Sequence, residues 1–291
     1  MTPAELAAAL NCDQRRLEML LYQLVLAEFL EIEDGRFSNS EVADYYLVKE
    51  RPAYTGDIHE LWSAQWSAMM QTAGSIRDGV AKGEVNYARM SEPELAGFFR
   101  GMHGTTLAAG HRLGREIDVS AGRKLLDVGG GSGGVAIALC QDNPELTATV
   151  LDLPSVTPIA EKLIAEAGLS ERISVETADI LAAPLTGDYD IAVARAFLQV
   201  LSADDARLAT VNIAGALAPG GNLYILGHIT ADDRLSPEIT VGFNLIFLNM
   251  FENGQAYSEQ QYREWLAAGG YSNITKKPFP GGTTILSAQL A

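Results

Sequence analysis

From Lys124 onward the chain alternates short apolar runs with helical segments, and that rhythm restricts the fold more than any other feature. The stretches "KLLDVGG", "TATVLDLP", "RISVETADI", "YDIAVARAF" and "GNLYILGHI" read as strands. Between them "GVAIALCQDN", "SVTPIAEKLIAEAGL" and "ADDARLATVNIAGALA" read as helices. Such alternation predicts an α/β fold built on a doubly wound parallel sheet. The tail "TKKPFPGGTTILSAQL" reads as a closing hairpin at the end of that sheet.

The N-terminal third has a different texture. "TPAELAAAL" opens with Thr2 and Glu5 at capping-box spacing. A second helix carries Leu17, Leu20, Leu21, Leu24 and Val25 at helical spacing. "FLEIEDGRFSNS" then alternates around Asp34-Gly35, a hairpin signal. Helix, helix, hairpin is the order of a winged helix, which serves either DNA recognition or packing and dimerisation. Here the wing carries Glu31, Glu33 and Asp34, and an acidic wing does not sit against phosphates. The expectation is therefore a homodimer and no nucleic-acid binding. Two longer helices follow. The first groups Trp62, Trp66, Met69 and Met70, a cluster that reads as core or as pocket, with Trp66 and Met70 as candidate substrate contacts. The expected domains are residues 1–119 and 120–291, divided near Ser120.

Composition narrows the function classes. The 37 Asp and Glu against 21 Lys and Arg repel phosphate backbones. No run approaches the ~20 apolar residues of a membrane helix, and the start "MTPAELAAALNCDQRR" lacks the order of a signal peptide. Cys12 and Cys140 have no metal-like or CxxC spacing. A cytoplasmic protein without a metal centre is expected.

The glycine run "LLDVGGGSGG" follows a strand and opens a helix. Gly129, Gly131 and Gly134 satisfy the dinucleotide pattern GxGxxG, a weak signal alone. The same stretch also reads Asp127-x-Gly129-x-Gly131-x-Gly133. An acid two places before the first glycine suits a cofactor with a cationic amino-acid end, such as S-adenosylmethionine (SAM), and disfavours a pyrophosphate. Asp152 ends the second strand, where a carboxylate accepts from ribose hydroxyls, and Asp179 ends the third, within reach of an adenine amino group. Either alone also reads as a helix cap; three acids in order on one sheet edge do not.

Together "LLDVGGGSGG", "VLDLPSV", "TADI" and "LAPGGNLYIL" resemble the SAM-dependent small-molecule O-methyltransferases of plant and bacterial type, and the resemblance covers nearly the whole chain. It implies a Rossmann-like methyltransferase sheet behind an N-terminal, mainly helical winged-helix dimerisation domain. It further implies that Asp152 with Leu153 holds the ribose, Asp179 with Ile180 the adenine side, and Arg195, where the family often has Lys, the methionine carboxylate.

The same resemblance exposes a gap. Methyl transfer to a neutral hydroxyl of pKa ~10 needs a proton acceptor, and the family supplies a His in a pattern like K-x-x-L-H-D-W. Aligning Arg195 with that Lys puts Gln199 at the His position. The two acids that buttress the family's His correspond to Gly227 and Ala256. Glutamine is no base, but it orients a substrate by hydrogen bonds. The remaining candidate bases are His59, His103, His111 and His228, with His103 preferred because its helix leads to the glycine loop. Tyr257 is a possible donor. The helix "EITVGFNLIFLNMF" is expected to roof the pocket with Phe243, Phe247 and Met250, and with Asn244 and Asn249 as polar contacts; it also reads as a core helix. The expected activity is methyl transfer to a small, flat, aromatic or polyketide-like molecule without the usual His base. The alternative is a non-methylating SAM-binding relative or a pseudoenzyme.

Overall fold

The computed structural model describes residues 1–49, 51, 54–56, 58–83, 85, 87, 89–119 and 123–291. The chain forms two compact units, Met1–His59 and Glu60–Ala291.

In the first unit, α1 (Pro3–Leu10) starts from the expected capping box, with Thr2 and Glu5 each bonding the other's backbone, and ends on Asn11 in the left-handed conformation. Helix α2 (Gln14–Leu26) is capped by Asp13, whose carboxylate accepts from the Arg16 N–H at 2.9 Å. The hairpin β1 (Leu30–Glu33) and β2 (Arg36–Asn39) turns at Asp34 and Gly35, both with positive φ, the geometry that this dipeptide supplies in two-residue turns. A short helix, α3 (Glu41–Leu47), follows.

The second unit holds the sheet. Its strands are β3 (Lys124–Val128), β4 (Thr147–Asp152), β5 (Ile173–Thr177), β6 (Tyr189–Arg195), β7 (Leu217–Gly227), β8 (Tyr271–Phe279) and β9 (Thr283–Leu290), in the order β5-β4-β3-β6-β7-β9-β8. The first five are mutually parallel; β9 runs antiparallel between β7 and β8, so the tail is the expected hairpin. Strand order reverses between β3 and β6, and that switch point opens a crevice at the carboxyl ends of the strands. Helix α7 (Gly134–Asp142) is buried from Gly134 to Cys140, as a helix apolar on all sides must be. Helices α8 (Thr157–Glu166), α9 (Ala203–Ala214), α10 (Glu238–Met250) and α11 (Glu259–Ala268) also belong to this unit.

The two longer helices expected before residue 119 are three, α4 (Ile58–Met69), α5 (Thr72–Asp78) and α6 (Glu92–Leu113), and they fall within or largely within the sheet unit. Ser120 itself lies outside the described residues. Helix α6 lies so close to α7 that a Cβ on Gly110 would stand 2.7 Å from Ala138 Cβ. In α4 the inward residues are Leu61 and Ala68. Trp66 and Met70 are 73% and 74% exposed, so in the single chain they are neither core nor pocket. Helical rotation carries Trp66 nearly half a turn away from the Leu61–Ala68 stripe, and Met70 follows the end of the helix.

Candidate active site

The loop between β3 and α7 places Gly129, Gly131 and Gly133 at φ 61°, 57° and 69°, where glycine alone pays no steric penalty. Rings lie against two of them. A Cβ on Gly131 would stand 2.6 Å from Phe99 of α6, and one on Gly129 would strike Phe197. The loop is thus glycine for its turn and for close approach.

One carboxylate pins this loop and others lie near it. Asp152 accepts the Gly131 N–H at 2.8 Å on one oxygen and the Leu153 N–H at 2.7 Å on the other. Burial raises its pKa, against the pull of those two N–H groups. Asp127 is enclosed and accepts the Ala136 N–H at 3.2 Å in the first turn of α7. Burial pushes its carboxyl up to about 7, opposed by the Ala136 bond and by the charge of Arg195. Asp179 is exposed and accepts the Leu181 N–H at 2.9 Å, closing a local turn. Ile180 beside it is buried, and its carbonyl accepts from Asn212 at 2.6 Å. Arg195, at the end of β6, donates to Thr106 of α6 at 3.2 Å. Burial lowers its pKa while the Asp127 charge opposes. Asp127, Asp152, Asp179, Arg195 and the three glycines therefore share the carboxyl edge of the sheet.

After Arg195 the chain takes an abrupt step. Ala196 has φ 53°, a left-handed conformation that costs an alanine roughly 1–2 kcal/mol. Its N–H donates to the Leu226 carbonyl at 2.7 Å. The step lays Phe197 on Gly129 and starts the 3-10 turn Leu198–Val200. Gln199, 5% exposed, folds over Gly227 and accepts the His228 N–H through Oε1 at 2.8 Å. A Cβ on Gly227 would stand 2.5 Å from that oxygen. The acid missing at 227 and the His missing at 199 are therefore one steric arrangement. Because the partner is a donor, the amide oxygen must face it. The NH2 end has no partner among the described residues.

His228 is buried, stacks on Phe243 at 3.8 Å and 18°, and sets Nδ1 3.3 Å from Thr240 Oγ1. Burial, with Arg195 adding to it, pushes the ring's pKa down to about 4. From His228 a succession of rings leads back to the glycine loop: Phe243 to Phe247 at 5.4 Å, Phe247 to Phe251 at 5.9 Å, Phe251 to Tyr87 at 6.5 Å, and Tyr87 to Phe99 at 5.7 Å. Burial and the Asp152 charge raise the Tyr87 pKa. Phe243 and Phe247 were expected at the pocket from the sequence. Phe99, Phe197, Phe251 and Tyr87 were not among the expected residues, because only the tertiary fold brings them to the glycine loop and to one another.

Several polar candidates prove to be occupied. Asn244 accepts the Ala256 N–H at 2.8 Å, which removes its oxygen from any pocket role. Asn249 is buried and ties α10 to α5 through Ser75 and Thr72. The Tyr257 hydroxyl donates to Leu201 O at 2.6 Å, with its pKa pushed up to about 12 by burial. His59 is exposed and bonds Gly56 O, and His111 pairs with Asp142 at 2.8 Å. His103 lies on α6 between Phe99 and Thr106 in sequence, at spacings that put all three on one helix face. Its Nδ1 is buried without a partner among the described residues, and burial lowers its pKa against the opposing charge of Glu166. No metal-binding cluster occurs among the described residues, and no described helix is long and apolar enough to cross a membrane.

Residues 73–272 match the family model of the O-methyltransferase domain. The chain is 30% identical to the 3-hydroxy-5-methyl-1-naphthoate 3-O-methyltransferase of Streptomyces sahachiroi, over 97% of this chain and 84% of that enzyme. It is 29% identical to the L-tyrosine C(3)-methyltransferase of Streptomyces lavendulae, over 97% of this chain and 81% of that enzyme. In structure it is similar to human N-acetylserotonin methyltransferase in complex with SAM, with TM-score 0.84 and 21% identity over all of this chain and 87% of that one.

Proposed function

The chain belongs to the O-methyltransferase family of SAM-dependent enzymes, and from that premise we propose that it methylates a small, flat, aromatic or polyketide-like acceptor which Gln199 orients and does not deprotonate. The observation that carries this reading is the fixed Gln199 amide, with its oxygen tied to the His228 N–H and its NH2 end available. The acceptor class is supported by the run of rings from Phe243 to Phe99, which offers flat apolar surface, and by relatives whose names state a hydroxynaphthoate and a tyrosine as substrates.

The residues fit SAM. The carboxylates of Asp127 and Asp152 meet the positive-φ glycine loop at the carboxyl edge of the sheet, which suits a cofactor with a cationic amino-acid end. The cofactor supplies a methyl group on a cationic sulfonium. Asp152 with Leu153 is assigned to the ribose, Asp179 with Ile180 to the adenine side, and Arg195 to the carboxylate. Asp127 acts from beneath the loop as a buried charge, and Gly133 opens α7. His103 faces the loop, and its partnerless Nδ1 gives it a binding role there. The unpaired Cys12 and Cys140 support a cytoplasmic location. A homodimer through the N-terminal region is supported by the exposed Leu10, Met19, Leu20, Leu26 and Tyr45.

The test is a labelled-methyl screen over phenols, enols, thiols and amines with Gln199→Ala beside the natural protein. Loss of one orienting hydrogen bond is expected to lower turnover about ten- to a hundredfold, with rates that track acceptor acidity. Firm SAM binding with no transfer to any acceptor would favour a non-methylating role and overturn the proposal.

A further inference from the structure

The ring of His228 can be assigned a tautomer. Thr240 has one hydroxyl proton, and it donates that proton to the Gly282 carbonyl at 2.6 Å. At the 3.3 Å contact with His228 the threonine oxygen must therefore accept, so Nδ1 carries the ring hydrogen. In the neutral ring Nε2 then holds a lone pair. The ring is held by its stack on Phe243 and its Nδ1–Thr240 contact, and the backbone N–H of the same residue is held by Gln199.

Position gives this lone pair a use. His228 directly follows β7, whose Leu226 pairs with Arg195 of β6, so the ring lies at the same carboxyl edge as the glycine loop. It also stands at one end of the aromatic run. We propose that Nε2 of His228 receives the hydrogen of the acceptor's nucleophilic group, so that the acceptor binds as a neutral hydroxyl or N–H flanked by one donor, Gln199, and one acceptor, His228.

This rests on the methyltransferase reading. As the acceptor heteroatom bonds the methyl carbon, the carbon–sulfur electron pair remains on sulfur. The heteroatom's proton passes to Nε2, and the imidazolium returns it to water. Around the ring, β6 presents Arg195, the 3-10 turn presents Gln199, α10 presents Thr240 and Phe243, and the β8–β9 turn presents the Gly282 carbonyl. The one cation in that set and the burial both keep the ring neutral near pH 7. A weakly basic ring accepts a proton more readily the more acidic the hydroxyl or N–H that gives it.

Two variants separate this role from a packing role. His228→Asn keeps a side-chain N–H for Thr240 and removes the Nε2 lone pair; His228→Gln keeps a polar atom near the Nε2 position. With 3-hydroxy-1-naphthoate and labelled SAM, His228→Asn is expected to lose about a hundredfold in kcat with the KM for SAM unchanged. His228→Gln, whose amide accepts a hydrogen bond but no proton, is expected to lose as much, whereas a packing role would let it retain the rate. In the natural protein the rate is expected to stay level between about pH 5.5 and 8, without a limb at the ordinary His value of ~6.5. Independently of turnover, nitrogen NMR of labelled histidine should show an unprotonated Nε2 whose signal moves when the naphthoate is added to protein loaded with S-adenosylhomocysteine. Full activity in His228→Asn, or an Nε2 that carries hydrogen and ignores the naphthoate, overturns the proposal. Should the natural protein transfer no methyl, the NMR measurement still decides the role of the ring.

Discussion

Adding one methyl group at Gly227 tests whether Gln199 and the strand end form one unit. In the natural protein the new Cβ stands 2.5 Å from Gln199 Oε1, so the amide must move and release the His228 N–H. Losing a neutral hydrogen bond costs about 1 kcal/mol, and leaving a buried N–H unsatisfied costs about 1–3 kcal/mol. Replacing glycine within a strand returns about 0.5–1 kcal/mol. Gly227→Ala alone should therefore destabilise by about 1–3.5 kcal/mol, or about 2–14 °C in melting temperature for a unit of this size. In a Gln199→Ala background the clash is gone and the N–H is already unpaired. There the same substitution should be neutral or stabilising by up to about 1 kcal/mol. The cycle thus predicts a coupling of about 1–4.5 kcal/mol, measured by denaturant titration of the four proteins. Additive effects, within the roughly 0.3–0.5 kcal/mol seen for independent sites, would refute the linked arrangement.

Calorimetry of Asp152→Ala is expected to show SAM binding weaker by about 1.5–3 kcal/mol, the scale of hydrogen bonds to a charged group; unchanged affinity would remove Asp152 from the site. Asp127, with its carboxyl raised to about 7, stabilises the ligand-free fold fully below the unfolded value of ~3.9, and loses that contribution as pH rises through about 7. A cationic ligand favours the carboxylate, so SAM affinity should rise between pH 6 and 8, with release of about half a proton at pH 7; equal binding heats in buffers of different ionisation enthalpy would contradict this. Light scattering at micromolar concentration is expected to report a dimer, and a monomer would leave the exposed apolar residues of the N-terminal region unexplained.

The sheet was legible because its strands are nearly pure in composition and its glycine loop needs positive φ, both of which leave marks in local sequence. Asp127, Asp152, Asp179 and Arg195 were legible for the same reason, since strand ends fix them. The face of α4 was not. Trp62, Trp66, Met69 and Met70 form the more hydrophobic-looking stripe, yet Leu61 and Ala68 point inward, and which stripe wins depends on the neighbouring helix. Asn244 was also illegible, because the N–H that occupies it belongs to Ala256 beyond the end of its helix. The His228 environment depends on Gln199, Thr240 and Gly282, three residues whose proximity only the sheet order creates.

Gly282 lies in the turn between β8 and β9, far along the chain from every motif that marks the crevice. It has φ 73°, and a Cβ there would run into Ile239 of α10. Any substitution must move the turn and with it the carbonyl that holds the Thr240 proton. Once released, that proton can turn toward the imidazole, and the ring's hydrogen then relocates from one nitrogen to the other. A directed-evolution library restricted to pocket-lining positions would never sample this change. Variation in a hairpin turn could thus retune proton transfer while every residue that meets the substrate stayed the same.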